Sequence, residues 1–345
     1  MAWSELKNLP GALLPWYDKH HRELPWRQTR EPYPVWLSEI MLQQTRVEAV
    51  KGYFYRFLEA IPDIETLAAC DDGVLHKLWE GLGYYSRVRN LKKAAQVIVT
   101  EHFGIFPRKY AEVLALPGIG DYTAGAICSI CYDLPTPAVD GNVLRVISRL
   151  TEDATPLDQP ALKNRAREAL SRIYPQRAGD FTQALMELGA TICGPNRKPD
   201  CENCPCRGFC RGFLHGTAEN FPVRPEKKGR KQEEMTVFIL SCDGSFALRK
   251  RQETGLLAGL WEFPHVPGKL ETGDALAALE AMGIRPRELK RQVDKKHIFT
   301  HIAWNMRGYY LEVAEPGGDP VWLPREQIEK EAALPTAFRQ FWEEI

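Results

Sequence analysis

The sequence predicts a multidomain protein in which an all-α domain (residues 1–215) is followed by a linker (216–234) and an α+β domain (235–345). Three observations support this prediction. Apolar residues recur three and four positions apart up to about residue 215, as in amphipathic helices. Residues 220–234 (NFPVRPEKKGRKQEE) are polar and contain two prolines, which is typical of an interdomain linker. Beyond them, short apolar segments flank turn residues, which indicates strands.

The helical pattern of the first domain is interrupted by Pro, Gly and Asp residues, and no segment contains a long β-branched run. The segments with helical spacing are Val35–Gln44, Val74–Trp79, Leu91–Val99, Val113–Ile130, Val143–Leu150, Ala161–Ile173 and Phe181–Ile192. The last domain has a hairpin signal at Asp243–Gly244. Its predicted strands are 235–241, 246–250, 260–263 and 297–304, and its predicted helices are 275–282 and 336–344.

Composition excludes several protein classes. The chain has 345 residues, 44% hydrophobic and 26% charged, which is ordinary for a globular protein of two domains. Its 45 basic and 45 acidic residues cancel, so binding to nucleic acid must depend on local chemistry. No apolar run approaches the roughly 20 residues of a membrane span, and the N-terminus lacks the layout of a signal peptide. We therefore expect a cytoplasmic protein.

A cysteine cluster is the strongest local signal. Five of the nine cysteines lie between Cys193 and Cys210. The pattern Cys193-x7-Cys201-x2-Cys204-x5-Cys210 suits a tetrahedral centre, either structural zinc or a four-iron cluster, and spacing alone does not distinguish them. Cys206 is a possible rival ligand, and unligated buried thiols are the alternative interpretation. Four protein ligands leave no open position, so we expect a structural centre that presents nearby basic residues to phosphates: Arg197, Lys198, Arg207 and Arg211.

The segment LPGIGDYTAGA, residues 116–126, is a turn with two glycines at the start of a helix. Gly118 and Gly120 allow close approach of the backbone to an anion, and the helix N-terminus supplies free N–H groups. Packing of a helix-turn-helix would account for the glycines equally well. With its flanking residues, the segment is typical of a helix-hairpin-helix motif that holds one DNA phosphate.

Two carboxylates are candidates for catalysis. Glu39 lies in the apolar helical turn WLSEIML, where burial would raise its pKa and make it a general acid. The simpler interpretation is an exposed glutamate. Asp140, in VDGNV, precedes a helix, and the simpler interpretation there is an N-cap. The N-cap position is compatible with a role as an ionised stabiliser of a developing cation.

Two further segments have residue types suited to DNA. Gln43, Gln44 and Thr45 follow Glu39 closely and offer side chains that could enter a duplex after a base has left it. The segment GLGYYSRVRN, residues 81–90, pairs tyrosines with arginines, as stacking on bases and contact with phosphates require. Taken alone, tyrosines next to arginines more often pack on one another at a protein surface than bind DNA.

Together these motifs resemble the helix-hairpin-helix, iron–sulfur DNA glycosylase superfamily, and in detail the MutY-type adenine DNA glycosylases. The resemblance covers nearly the whole chain, in the order LPWR, VWLSEIMLQQT, GLGYYSR, LPGIGDYTAGA, VDGNV, the cysteine cluster and a C-terminal domain. It implies a six-helix barrel over about 31–138, an iron–sulfur helical unit formed by 1–30 and 139–215, and a Nudix-like lesion-recognition domain over 235–345.

The resemblance also implies the roles of individual residues. Glu39 would protonate adenine, Asp140 would stabilise an oxocarbenium-like sugar, and Asn142 would orient the reacting groups. Positions that match the adenine pocket are Trp26, Arg27, Leu42, Val47 and Glu187. Positions that match residues around 8-oxoguanine are Gln44, Tyr84, Phe299, Thr300 and His301. The metal centre would be one [4Fe–4S] cluster held by Cys193, Cys201, Cys204 and Cys210.

Tyr122 occupies a catalytic position that distinguishes close relatives. Endonuclease III-like members have a lysine there, which forms a Schiff base and cuts the strand. Tyrosine cannot do so, which predicts a monofunctional glycosylase. The C-terminal domain lacks the Nudix metal motif and is predicted to read DNA rather than to hydrolyse a nucleotide. The expected partner of this monomer is duplex DNA with an A·8-oxoguanine or A·G mispair.

Two alternatives stay open at this stage. One is an endonuclease III-like glycosylase and lyase acting on oxidised pyrimidines. Tyr122 and the additional C-terminal domain count against it. The other is a DNA-binding module whose loop is held by a metal centre and which has no enzymatic activity. Glu39 and Asp140 count against that, because binding phosphates does not require two acids near DNA.

Overall fold

The structure is a computed structural model that describes residues 3–195, 198–225 and 229–345. Arg197, predicted to contact phosphates, lies outside the described residues. Contacts divide the chain into two compact units, residues 1–69 with 90–226 and residues 70–89 with 227–345. The second unit thus includes a short segment from the middle of the first predicted domain. The predicted domain boundaries themselves stay predictions.

The part of the chain before residue 230 is helical, as predicted. Its α-helices are α1 (Leu9–His20), α2 (Pro32–Leu42), α3 (Val47–Ala60), α4 (Ile64–Ala69), α5 (Asp72–Leu78), α6 (Ser86–Glu101), α7 (Tyr110–Ala115), α8 (Asp121–Tyr132), α9 (Gly141–Thr151), α10 (Pro160–Ser171), α11 (Ala178–Thr191) and α12 (Arg211–Leu214). Short 3-10 turns cover Ser4–Asn8, Pro25–Arg27 and Ala218–Asn220. Among the described residues, no helix has both the length and the apolar character to cross a membrane.

Two helices at the centre of the first unit are buried on nearly all sides. In α2, every residue from Val35 to Met41 is buried, including the polar Ser38. In α8, every residue from Thr123 to Ile130 is buried. A helix without a polar face must lie inside the fold, because each of its sides needs apolar neighbours. The two helices pack against each other, and α8 also packs against α11.

Helix α9 organises the second core of this unit. Its apolar side chains pack with those of α1, α10 and α11 around Leu13, Leu162 and Phe181. The same core contains Cys206 and Cys210, so the cysteine loop is part of the hydrophobic interior of the unit. Asp140, at the N-terminus of α9, and the cysteine loop are therefore held by one helix.

The second unit contains a mixed sheet with helices on both faces. Its elements after residue 229 are β1 (Lys231–Cys242), β2 (Ser245–Lys250), β3 (Trp261–Glu262), β4 (His265–Pro267), α13 (Thr272–Ala281), β5 (Pro286–Ile298), β6 (Ile302–Val313), β7 (Val321–Pro324), α14 (Arg325–Glu331) and α15 (Thr336–Trp342). The strand order is β3-β2-β1-β6-β5, with β4 paired to β1 and β7 to β2. Strands β1 and β6 are parallel, whereas β5 and β6 are antiparallel.

Strand alternation gives each face of the sheet its own core. Along β1, Val237 and Ile239 face the core that includes α15, whereas Phe238 and Leu240 face the core that includes α13. Successive side chains of a strand point to opposite faces, so a strand buried on both sides is almost continuously apolar. This confirms the predicted α+β class of the C-terminal part.

One predicted strand is interrupted. Residues 297–304 were expected to form a single strand, but β5 ends at Ile298 and β6 begins at Ile302. The amide of Phe299 donates a hydrogen bond of 2.8 Å to the carbonyl of Ile302, which closes a tight turn. The apolar residues on both sides of Thr300 and His301 therefore belong to two antiparallel strands.

Gly125 should control the packing of α8 against the segment that leads to Asp140. A Cβ atom there would overlap the Pro137 carbonyl oxygen and lie 2.9 Å from its carbon. We expect Gly125→Ala to destabilise the protein by about 1–3 kcal/mol, as overpacking does. The control is Gly11→Ala in α1, where a Cβ atom meets nothing within 4 Å. Denaturant unfolding should show Gly11→Ala equal to or more stable than wild type, and equal losses for both variants would contradict this packing.

Candidate active site

A cavity of about 790 Å³ in the first unit collects most of the predicted site residues. Its walls come from α2, α8, α9, α11 and the turn before α2. The predicted residues that line it are Trp26, Arg27, Glu39, Leu42, Gln44, Val47, Gly118, Gly120, Tyr122, Asp140 and Asn142. The fold thus brings together side chains that are up to 116 positions apart (142 − 26 = 116).

Glu39 is a buried acid on the wall of this cavity. Its side chain is 6% exposed, and burial is the main reason that its pKa rises to about 7. The Tyr122 hydroxyl, which hydrogen-bonds to it, and Arg27 lower this pKa, whereas the negative charge of Asp140 raises it. Burial disfavours the charged form of a carboxyl group, so Glu39 retains a proton near neutral pH. A carboxyl group in this state can act as a general acid.

Tyr122 adjoins Glu39 at the first turn of α8. Its hydroxyl hydrogen-bonds to the Glu39 carboxyl group and lies 3.9 Å from the Met186 sulfur. Burial, reinforced by the charges of Glu39 and Asp140, raises the pKa of the phenol well above its usual value. Tyr122 is thus a neutral phenol beside Glu39.

Asp140 is the N-cap of α9 and a wall of the cavity at the same time. One of its oxygens accepts a hydrogen bond of 2.8 Å from the Val143 amide. The other oxygen accepts one of 2.6 Å from the Asn142 side-chain amide. The N-cap interpretation of Asp140 is confirmed, and its second oxygen, which is not used for capping, is held by Asn142.

Arg145 connects this N-cap with the cysteine loop. Its guanidinium donates to the side-chain oxygen of Asn142 at 3.0 Å, to the carbonyl of Gly189 at 2.8 Å and to the carbonyl of Cys193 at 2.8 Å. The side chain of Asn142 is therefore oriented, with its amide group toward Asp140 and its oxygen toward Arg145. This orientation is a consequence of helical spacing, because Asn142 and Arg145 are three residues apart in α9.

Glu187 lies behind the cavity wall, where two arginines neutralise it. It is fully buried and accepts hydrogen bonds from Arg22 at 2.7 and 2.9 Å and from Arg27 at 2.8 Å. Burial alone would raise its pKa, but the bonds and charges of the two arginines outweigh burial and lower it. Glu187 is thus an ionised residue that fixes the position of Arg27 on the wall.

Sequence reasoning missed Arg22. It lines the cavity and also donates its backbone amide to Glu187 at 3.1 Å. The contact joins residues 165 positions apart, so no local spacing signals it. The only hint is that Arg22 lies five residues before Arg27, beside the motif LPWR.

The turn between α7 and α8 has the geometry of an anion-binding hairpin. Gly118 has a φ of +74°, which glycine adopts without steric cost. Gly120 is the N-cap of α8, and no N-cap side chain accepts a hydrogen bond from the first backbone amides of the helix. Beyond the turn, Asp121 pairs with Arg167 at 2.8 Å and with Lys163 at 3.7 Å, which offsets a negative charge close to the hairpin.

Gln44 projects from the rim of the cavity in a strained conformation. It is exposed, and its φ of +60° is in the left-handed region that non-glycine residues rarely adopt. Strain of this kind costs on the order of 1–3 kcal/mol and is found preferentially at functional sites. This conformation fixes the direction in which the Gln44 side chain leaves the backbone.

The predicted metal ligands surround one small cavity. Cys193, Cys201, Cys204, Cys206 and Cys210 all line it, together with apolar residues of α9 and α11. Cys206 is completely buried. Among the described residues, no three His, Cys, Asp or Glu side chains converge closely enough for a single metal ion. A shared apolar cavity lined by thiols fits the donor set of an iron–sulfur cluster.

In the second unit, Tyr84 and the turn between β5 and β6 meet. The Tyr84 hydroxyl is 2.7 Å from the Thr300 hydroxyl. Tyr84 is 48% exposed and has a φ of +47°, so it shares the strained conformation of Gln44. Thr300 and His301 are exposed, whereas Phe299 packs edge-on against Trp304 with ring centroids 4.8 Å apart. Phe299 therefore anchors the turn.

The segment that presents Tyr84 is fastened to this unit by polar contacts. The carboxylate of Glu80 accepts a hydrogen bond of 2.9 Å from the Leu334 amide and pairs with Arg339 at 2.8 Å. The side chain of Arg89 donates to the carbonyl of Ala258 at 2.8 Å. These contacts explain why residues 70–89 belong to the second unit.

Comparisons with known families match both units. Residues 37–172 match the family described as HhH-GPD superfamily base excision DNA repair protein. Residues 235–344 match the family described as NUDIX domain. The first match includes Glu39, Tyr122 and Asp140, and the second includes the turn with Thr300.

Curated relatives share sequence with nearly the whole chain. The adenine DNA glycosylase of Homo sapiens is 34% identical over 98% of this chain and 74% of its own length. That of Buchnera aphidicola (strain APS) is 35% identical over 84% of this chain and 82% of its own length. That of Arabidopsis thaliana is 35% identical over 91% of this chain, which spans only 59% of that relative.

Solved structures support the fold of the helical part. A thermostable thymine-DNA glycosylase aligns with a TM-score of 0.55 and 28% identity, over 61% of this chain and 97% of that one. A trapped endonuclease III–DNA covalent intermediate aligns with a TM-score of 0.53 at 22% identity, over 63% of this chain and 99% of that one, which shows the fold alone. From its relatives and the order of its two matched regions, the chain belongs to the adenine DNA glycosylase family.

Proposed function

We propose that the protein is a monofunctional DNA glycosylase that hydrolyses the N-glycosidic bond of adenine mispaired with 8-oxoguanine or guanine. The observation that carries the proposal is Glu39, a buried acid. Burial, together with the nearby negative charge of Asp140, raises its pKa to about 7. Two carboxyl groups whose environments differ in this way suit an acid and an electrostatic stabiliser. That the excised base is adenine is inferred from the curated relatives, which are named adenine DNA glycosylases.

In the proposed reaction, Glu39 protonates the adenine, and the glycosidic electron pair leaves with the base. The sugar develops oxocarbenium character, and the Asp140 carboxylate stabilises this charge. Water then adds to the sugar carbon and releases a proton, which leaves an abasic site. Asn142 holds Asp140 through its 2.6 Å hydrogen bond and is itself held by Arg145. Such preorganised electrostatics lower the barrier because no reorientation is needed during the reaction.

The base must leave the duplex to reach Glu39, since the acid lies in a cavity. Trp26, Leu42 and Val47 supply apolar walls, and Arg27 is fixed by Glu187 beside them. We infer that the hairpin with Gly118 and Gly120 holds a backbone phosphate, whereas Gln44 enters the space left by the base. The strained φ of Gln44 supports this role, because it sets the direction of the side chain before DNA binds.

Adenine is a normal base, so recognition must include the opposite strand. The Tyr84 and Thr300 hydroxyls, 2.7 Å apart, together with the exposed His301, offer the polar groups for reading 8-oxoguanine. Phe299 would support the turn from below. Hydrogen bonds to base edges discriminate by about 1–3 kcal/mol, which is enough to favour one opposite base over another.

We also propose that Cys193, Cys201, Cys204 and Cys210 hold one [4Fe–4S] cluster, with Cys206 buried beside them in the core. When bound, the cluster would organise the loop after α11 without an open coordination site. The proposed substrate is DNA. We expect a monomeric protein in the cytoplasm, close to the nucleoid in a bacterium.

The central test replaces each acid. Glu39→Gln and Asp140→Asn should each reduce single-turnover excision from an A·8-oxoguanine duplex by at least about 100-fold, because acid catalysis typically contributes that much. Binding to the same duplex should change little, since both groups act mainly in the transition state. The product strand of the wild type should stay uncut until it is heated in base. Excision at the wild-type rate by either variant would remove that residue from the mechanism, and cutting at neutral pH would favour a lyase.

The pH profile tests the proton on Glu39. Above a pKa of about 7 the acid is increasingly ionised, so the single-turnover rate should fall about tenfold per pH unit. Tyr122→Phe removes a hydrogen bond that lowers this pKa. The alkaline limb should therefore move to higher pH in the variant. A limb that moves to lower pH would show that Tyr122 stabilises the protonated form instead.

Thr300→Val tests lesion reading with little change of shape. Loss of the hydroxyl should slow processing of A·8-oxoguanine by about 5- to 100-fold relative to A·G, in line with one base-edge contact. Each substrate serves as the control for the other within the same protein preparation. Equal loss on both substrates would show that the turn supplies only general affinity.

A further inference from the structure

Arg149 is a buried cation directed at the cysteine loop. It lies in the last turn of α9 and is only 5% exposed. Its Nη1 donates to the Cys193 carbonyl at 3.1 Å, to the Gly194 carbonyl at 3.0 Å and to the Cys193 sulfur at 3.2 Å. One nitrogen thus reaches both the backbone and the thiol at the beginning of the loop.

The other side of the same guanidinium reaches the end of the loop. Its Nε donates to the Phe221 carbonyl at 2.9 Å and to the Ala218 carbonyl at 3.1 Å. The backbone carbonyl of Arg149 meets the Cys210 thiol at 3.5 Å. Residues 193–194 and 218–221, which bracket all five clustered cysteines, are therefore tied to one side chain.

The charge of Arg149 has no carboxylate partner among the ion pairs of the described residues. Its partners are four carbonyl oxygens and one sulfur. A buried charge is costly unless an opposite charge compensates it. Thiolates bound to iron carry negative charge, and the Cys193 sulfur already accepts a hydrogen bond from this cation. The missing counter-charge is therefore supplied when the cysteines are ligated.

We propose that Arg149 is a positioning residue for the iron–sulfur centre: it closes the cysteine loop at both ends and provides the positive charge that balances its thiolates. This inference rests on the proposed [4Fe–4S] cofactor. It predicts two separable effects. The hydrogen bonds to carbonyls shape the loop, and the buried charge makes reduction of the cluster easier, because net charge and hydrogen bonds to sulfur set its potential.

The test compares full-length wild type, Arg149→Gln and Arg149→Lys after anaerobic purification. Arg149→Gln loses the charge, and Arg149→Lys keeps it without the planar fork. The matched control is Arg207→Gln, which removes an exposed arginine that also lines the cysteine cavity; among the described residues, its side chain bonds only to Glu202. The readouts are iron and sulfide per chain, the rate of cluster loss to a chelator, and the reduction potential.

We expect Arg149→Gln to bind several-fold less iron, to lose its cluster about tenfold faster and to have a more negative potential in the loaded fraction. Arg149→Lys should keep a potential close to that of wild type while still losing its cluster faster. Arg207→Gln should match wild type in iron content and cluster lifetime. If Arg149→Gln does not fold, the cluster lifetime and the reduction potential of Arg149→Lys decide the test.

Two results would overturn the inference, and they are distinguishable. A wild type without iron refutes the cofactor proposal and the role of Arg149 with it. A loaded wild type refutes the role of Arg149 alone if Arg149→Gln is equally loaded, equally long-lived and unchanged in potential. If Arg149→Gln does not fold, a cluster lifetime in Arg149→Lys equal to that of wild type would equally refute the role of Arg149.

Discussion

The burial of Glu39 is the interaction on which the site depends. Helix α2 has no polar face, so a carboxyl group in its middle is held among apolar neighbours and retains a proton near neutral pH. Tyr122 hydrogen-bonds to this group from α8, and Asp140 adds a negative charge from the N-terminus of α9. Three helices converge on this acid, so their packing determines its pKa.

The same helix α9 connects the site to the cysteine loop. Asp140 caps it, Asn142 and Arg145 lie in its first turns, and Arg149 lies in its last turn. Arg145 reaches the Cys193 carbonyl from the side of Asn142, whereas Arg149 reaches it from the side of the loop. Since both arginines bind the same carbonyl, the position of Cys193 is coupled to the orientation of Asn142. The proposed metal centre would thus be linked to the cavity through these backbone contacts.

In the proposed function, the second unit supplies information that the cavity lacks. A pocket with Trp26 and Arg27 that accepted adenine would not distinguish a mispaired adenine from a paired one. The exposed Thr300 and the strained Tyr84 lie together in a unit of their own, which also binds residues 70–89 through Glu80 and Arg89. Under this proposal, reading of the lesion and acid catalysis use different units, so each surface can be adapted to one strand.

Sequence alone determined the fold class and the order of the two parts, and it predicted many of the residues that line the cavity, because periodicity, turn chemistry and short motifs are local properties. It identified Glu39 as an acid but left its burial open, since burial depends on α8 and α9 and not on α2 itself. Arg22 and its partner Glu187 lie 165 positions apart, and the contacts of Arg149 join α9 to residues 193–194 and 218–221. The break at Phe299–His301 was hidden because the residues on both sides of it favour strands. Only the tertiary structure decided these features, because the free energy of a buried charge is set by neighbours that are distant in the chain.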